Sequence, residues 1–280
     1  MTWRIAITHT TGYRYTREVT SSYNEARITP ISNDRQLVLE SEVEVSPSAV
    51  AFRYWDYWGT LVHAFDIHVP HIELSVTGTS VVETSGRADP RNETVSWADL
   101  DRPDLRDRFA EVLAPTTLVP LDDDVRAAAD PFRKERTPAA ACEAAVEWVK
   151  DRLRYEKGTT DVTTPAPDVL RQGSGVCQDF AHVTLALLRA AGLPARYVSG
   201  YLHPHEEADL GTALVGESHA WIEAWTGDWQ AYDPTNGVVA ERHVVVGRAR
   251  DYTDLSPLHG IYHGGPAEAL GVSVALTRLS

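Results

Sequence analysis

Cysteine is scarce in this 280-residue chain, which has only Cys142 and Cys177. Two thiols cannot build a disulfide framework or a four-thiolate zinc site, so both are expected to be reduced. Long apolar runs are also missing. Residues 1–20 set Trp3, Arg4, Arg14 and Arg17 among alternating polar positions with no secretory apolar core, and no later run is long enough to span a bilayer. The expected protein is soluble and cytoplasmic, without a membrane partner. Basic charge is the third shortage: 26 Lys and Arg stand against 40 Asp and Glu, a formal net charge of −14. Such a surface repels phosphate backbones and anionic lipids, which argues against nucleic acid as a partner.

What is present divides by periodicity. From Thr2 to about Thr84 the pattern has period two, with Leu37, Leu39, Val43 and Val45 on one side of a half-buried strand and Glu40, Glu42 and Glu44 on the other. Short strands are expected at Val62–Val69 and Ile72–Val76, and Tyr54–Thr60 reads as a hairpin tip. Residues 1–84 are therefore expected to form an antiparallel β domain. Residues 85–120, with Pro90, Pro103, Pro115 and Pro120, read as a linker holding one short helix near Leu105–Leu113.

A catalytic core is expected over residues 121–280. Asp122, Asp123 and Asp124 precede an apolar-periodic segment as acids of a first helical turn, in preference to a calcium site. Thr137 and Pro138 open a second helix, inside which Cys142 is a packing residue. Residues 155–168 read as a loop, and strands are expected at 195–202, 218–225 and 229–233, with further pieces near 242–246 and 272–276.

Cys177 is placed for chemistry. It follows Gly173-Ser174-Gly175-Val176 and opens a helix whose apolar positions Phe180, Val183, Leu187 and Leu188 recur at helical spacing before Gly192 and Pro194. Unpaired N–H groups at a helix start favour a thiolate. The glycine turn would let a substrate carbonyl approach the backbone N–H of Cys177. A cysteine nucleophile also needs a base and a group that orients it. The strand Glu217–Trp225 carries His219, Trp221, Glu223 and Trp225 on one face, and a tight turn at 226–228 returns the chain along Trp229–Asp233. Asp233 can then reach His219, and Pro234 holds Asp233 extended.

Gly175–His182, Ala191–Tyr201, His219-Ala220-Trp221 and Asp233-Pro234-Thr235-Asn236 together resemble the bacterial transglutaminase-like family of the papain-like superfamily. Thr8–Tyr15 is similar to the opening of the β domain that precedes the catalytic core in many such proteins. The resemblance implies an α+β fold, in which the cysteine helix packs on a small antiparallel sheet, and a triad carried onto Cys177, His219 and Asp233. The calcium dependence and extra length of the animal crosslinking enzymes have no counterpart here, nor do the Cys-x-x-Cys zinc ligands of the deglycosylating relatives. No cofactor or metal is expected.

The expected reaction is thiol-dependent acyl transfer on a peptide or protein substrate, ending in hydrolysis as a cysteine peptidase or amidase. The alternatives are amine transfer with crosslinking, and a non-catalytic binding or assembly module with a vestigial triad. The backbone N–H of Cys177 is a natural oxyanion donor, and Gln172 or Tyr155 is a candidate for the second. Trp221 and Glu223 are candidate cleft walls. His182, Gln178 and Asp179 are expected to be structural, and His203-Pro204-His205-Glu206-Glu207 to be solvated polar sequence rather than a metal cluster.

Overall fold

The computed structural model describes residues 2–85, 95–205 and 209–280. Pro90, Glu206 and Glu207 lie outside these stretches. Strand β1 (Thr2–Ala26) buries Trp3, Ile5, Ile7 and His9 at alternate positions, as a strand with one core face must. After β2 (Gln36–Ser46), the hairpin of β3 (Phe52–Trp55) and β4 (Leu61–Ile67) closes where expected. Asp56 Oδ1 ties that turn by accepting from the backbone N–H of Trp58 and Thr60 at 3.0 and 2.9 Å. The period-two reading of β2 is corrected by a bulge between Val38 and Glu40 against β5 (His71–Ser85). One extra residue reverses the facing of everything before it. Leu37 and Leu39 are therefore exposed, and Val38 packs inward with Val43 and Val45.

The segment expected as a linker folds, from residue 95, into three short helices: α1 (Trp97–Leu100), α2 (Pro103–Arg108) and α3 (Ala110–Leu113). Leu100, Phe109, Val112, Leu118 and Val119 are buried in the core that surrounds the cysteine helix. Its prolines and charges masked an apolar face that only the core could reveal. Helix α4 (Asp123–Arg133) begins as read, with Asp122 Oδ1 accepting from the Val125 N–H at 2.9 Å. In α5 (Pro138–Arg152) the cap is Thr137, and Cys142 is fully buried.

Strand β6 (Arg154–Tyr155), α6 (Ala166–Gln172) and the short strand β7 (Ser174–Gly175) lead to α7 (Cys177–Ala190). Every residue from Gln178 to Arg189 is buried. A helix covered on all sides is the centre of a core, and α7 is covered by α4, α5 and α6 and by a four-stranded antiparallel sheet. Beyond β8 (Ala195–Leu202) comes β9 (Ala213–Gly216), followed by β10 (Ser218–Trp225), β11 (Trp229–Tyr232) and β12 (His243–Ala249). The sheet order is β11-β10-β8-β12, and Ala220, Ile222 and Ala224 of β10 share one core with α7. The chain ends with β13 (Leu258–Gly264) and β14 (Ala267–Arg278).

Strands β9, β13 and β14 leave the core and join the amino-terminal sheet, which has eight strands among the described residues. β1 is flanked by β5 and β14 over its first half and by β4 and β13 over its second. The sheets are packed together through Trp3, Ile5, Ile7 and Leu276 on one side and Tyr201, Val244 and Val246 on the other. Gln36 adds hydrogen bonds to both the N–H and the carbonyl of Val245, at 2.7 and 2.8 Å. Among the described residues no helix is long and apolar enough to cross a membrane. An isolated fragment of residues 1–84 lacks β14, the partner along the other edge of β1, and is expected to show no cooperative thermal transition by circular dichroism. A sharp transition would mean that the carboxy-terminal strands are dispensable for the sheet.

Candidate active site

Cys177 is positioned by a short run of backbone contacts. Gly173, at φ 74°, ends α6 in the left-handed conformation that glycine tolerates. Val176 is extended, and its N–H donates to Asp179 Oδ2 at 2.7 Å, with Thr160 Oγ1 donating to the same oxygen at 2.7 Å. Burial pushes the Asp179 carboxyl up despite these donors. Asp179 also accounts for Gly175, because a Cβ there would stand 2.6 Å from Asp179 Oδ2. The glycine therefore makes room for the cap, which replaces the expected role in admitting a substrate carbonyl. Cys177, the first residue of α7, is half-buried.

His219 opens the buried run of β10 and lines the same two cavities as Cys177, whose thiol helps hold its imidazole in the charged form. Its Nε2 lies 2.7 Å from Asp233 Oδ2, which leaves Nδ1 as the nitrogen that faces the thiol. Asp233 follows β11 and is fully buried. Its Oδ1 accepts from Thr235 N–H at 2.8 Å, Thr235 Oγ1 at 2.7 Å and Asn236 N–H at 3.0 Å. Burial alone would push the Asp233 carboxyl up, but bonds from His219 and His243 and their charge hold it far below the usual carboxylate range. Burial also opposes charge on His219. The Asp233 and Cys177 contacts outweigh it and raise the imidazole to about 9.

His243, the first residue of β12, is a member of this cluster that the sequence reading missed. Its Nε2 lies 3.1 Å from Asp233 Oδ2. Ligand atoms of His219, Asp233 and His243 lie within 4.8 Å of one another, a spacing that could hold a metal ion. However, His243 Nδ1 accepts the Ala240 N–H at 3.3 Å, so its proton is on Nε2, the atom a metal would need. The cluster is accordingly built as a hydrogen-bonded relay. No sequence signal marks His243, a lone histidine ten residues past Asp233.

Cys177 stands where two cavities meet, one of about 840 Å³ and one of about 260 Å³. Tyr155, Lys157, Glu217, Ser218 and His219 line both, and Lys157 and Glu217 form an ion pair there. Strands β9 and β14 wall the cleft through Val215, Gly216 and Val272. Tyr155 is placed by parallel pairing of β6 with β7, opposite Gly175. Its hydroxyl is pushed up to about 12 by burial and by Cys177.

The other candidates lie elsewhere. Gln172 donates to the Thr159 carbonyl at 2.8 Å and lines neither cavity. Trp221 and Glu223 line a separate cavity of about 380 Å³ that does not include Cys177. Trp221 is fully buried against His219 and His243, and Glu223 is ion-paired with Arg196 and Arg248. The alternation along β10 was read correctly, but Trp221 and Glu223 face Ile31 and residues 33–36 of the amino-terminal segment, away from Cys177. His182 Nε2 accepts the Tyr252 N–H at 3.2 Å, a structural role. His203 Nδ1 bonds its own loop at the His205 carbonyl.

The pH dependence of stability follows from the signs. His219 is raised to about 9 from 6.5, so its stabilising contribution is complete below about pH 6.5 and is lost as pH rises through 9. Asp233 is depressed, so its contribution is present above about pH 4 and fades only below that. In urea unfolding, the wild-type protein is expected to lose its advantage over His219→Ala between pH 6 and pH 10. An advantage constant over that range would show that His219 gains no proton affinity on folding.

Comparison with known proteins agrees with this geometry. Residues 126–234 match the family model of the transglutaminase-like superfamily, and residues 5–83 match the bacterial transglutaminase-like N-terminal region. An uncharacterised protein of Mycobacterium leprae is 49% identical over 99% of this chain and 100% of its own. One from Mycobacterium tuberculosis is 34% identical over 98% of this chain and 92% of its own. A protein-glutamine gamma-glutamyltransferase of Pseudomonas aeruginosa is 32% identical over 42% of this chain and 19% of its own. A crystal structure from Cytophaga hutchinsonii, provisionally assigned as a cysteine protease, shares the fold at a TM-score of 0.81 and 23% identity. It covers 100% of this chain and 92% of its own. With a cysteine helix on an antiparallel sheet, both family models in order and full-length relatives, this chain belongs to the transglutaminase-like superfamily.

Proposed function

We propose that the protein is a cysteine-type amide hydrolase acting on peptide or protein substrates through Cys177, His219 and Asp233. The observation that carries this reading is the His219 imidazole, which shares the cleft of Cys177 and lies 2.7 Å from Asp233 Oδ2. The thiol proton rests on His219 before the reaction, so sulfur attacks the amide carbonyl as the thiolate of an ion pair, and Asp233 holds the ring and stabilises its charged form. The tetrahedral oxyanion meets the Cys177 N–H and the Tyr155 hydroxyl. Collapse releases the amine with the proton from His219 and leaves a thioester. Neutral His219 then deprotonates water, whose attack releases the acid and restores the thiol. Water reaches the site because Cys177 is half-buried and the Lys157 and Glu217 side chains at the cleft are exposed.

A second reading is amine transfer, favoured by the similarity of part of the chain to the Pseudomonas aeruginosa glutamyltransferase. Incubation with a glutamine-containing peptide and a labelled primary amine separates the two. Release of free acid in excess over labelled amide is expected, and predominant amine incorporation would reverse the assignment. Cys177 is also expected to alkylate at pH 6 at least 10-fold faster than buried Cys142, and to lose that advantage in His219→Ala. Equal rates would leave a non-catalytic module. Cys177→Ala is expected to keep its melting temperature while abolishing turnover. Tyr155→Phe is expected to lower kcat by about 100-fold with Gln172→Ala near wild type, and an unchanged kcat in Tyr155→Phe would remove Tyr155 from the oxyanion site.

A further inference from the structure

The loop that joins β11 to β12 begins at Asp233 and ends at His243, and each end is closed by its own turn. Gly237 N–H donates to the Asp233 carbonyl at 2.9 Å, and His243 N–H to the Ala240 carbonyl at 3.0 Å. Folding the loop this way brings the carboxylate at its start against the imidazole at its end. Asp233 Oδ2 then faces two Nε2 atoms, His219 at 2.7 Å and His243 at 3.1 Å, while Oδ1 is saturated by Thr235 and Asn236.

We infer that His243 is a positioning residue for the proposed triad: its Nε2–H fixes Asp233 Oδ2 and takes part of that oxygen's accepting capacity, so that His219 is held less tightly than by an unshared carboxylate. The inference rests on the triad reading. Three observations support it. The Ala240 N–H contact leaves Nε2 as the protonated nitrogen. The edge of His243 is fixed by the Trp221 ring, 5.2 Å between centroids at 77°. And His243 is buried, and among the described residues Asp233 alone bonds its Nε2.

The charged and titratable groups around it are Asp233 and His219 in the cluster, Arg242 beside it in the chain, and Asp34, Arg35, Arg196, Glu223, Asp228 and Arg248, which line the same cavity as its ring. Burial, more than any of these, keeps His243 below its ordinary value, so it serves as a neutral donor at neutral pH. The consequence is chemical. Breakdown of a thioester by water needs neutral His219 as base, and a histidine bound by an unshared buried carboxylate would give up its proton less readily. Sharing Oδ2 lowers that hold without breaking the relay.

The test follows alkylation of Cys177 by iodoacetate from pH 5 to 10, with peptide mass mapping to separate it from Cys142. The reagent is an anion, so its rate falls when the neighbouring imidazolium loses its charge. Fast wild-type labelling that His219→Ala abolishes establishes the triad. Without that result the proposed function fails, and this inference with it. With the triad present, His243→Leu is expected to move the alkaline fall up by about one pH unit, because an unshared carboxylate holds the imidazolium more strongly. His243→Gln, whose amide can donate to the same oxygen, is expected to bring it back. An alkaline fall that stays put, moves down or is not restored by glutamine overturns the inference while leaving the triad standing. Nitrogen-15 histidine NMR of the wild-type protein needs no variant. It should show His243 as the neutral Nε2–H tautomer from pH 7 to 9, and an Nδ1–H tautomer overturns the inference equally.

Discussion

A carboxylate with no exposed surface must be surrounded by donors or it will not remain ionised, and Asp233 imposes that constraint on the carboxy-terminal half of the chain. Five donors meet it, two from imidazoles and three from the turn that follows it. To supply them, the start of β10, the end of β11 and the start of β12 must converge. Removing any one of these partners would leave part of a buried charge unmatched, at a cost of several kcal/mol. The geometry of His219 is thus set by the same bonds that make the fold specific.

The two family models match 5–83 and 126–234, yet the working cleft depends on residues outside both. His243 lies beyond residue 234, and so do Tyr252, Pro257 and Val272, which line the cavity beside Cys177. Strands β9 and β14 reach this cleft while paired in the amino-terminal sheet. That sheet consequently forms a wall of the cleft as well as a support for β8 and β12. Residues of both sheets therefore line the cleft that holds Cys177.

Much of the site was legible because its signals are local. Cys177 could be set at a helix start from the glycines before it and the apolar spacing after it. His219 and Asp233 could be paired because a three-residue turn fixes which ends of a hairpin meet. Tyr155 lines the cleft, but Gln172 is spent on the Thr159 carbonyl and lines neither cavity at Cys177. Trp221 and Glu223 were placed on the correct face of β10, yet alternation cannot tell what covers a face. Here the amino-terminal segment covers it, and Glu223 pairs with two arginines. The bulge in β2 was invisible for the same reason, since an extra residue is accommodated by the partner strand and leaves no mark in composition.

By itself the sequence determined the helix that carries Cys177, the hairpin that carries His219 and Asp233, and the order in which they appear, because helix caps, periodicity and tight turns act over a few residues. Only the tertiary structure decided that β9, β13 and β14 complete the amino-terminal sheet, that residues 95–120 pack as core, and that His243 shares the oxygen of Asp233. Each of these depends on contacts between segments distant in the chain, where burial and hydrogen-bond saturation choose the partner and no local pattern specifies it.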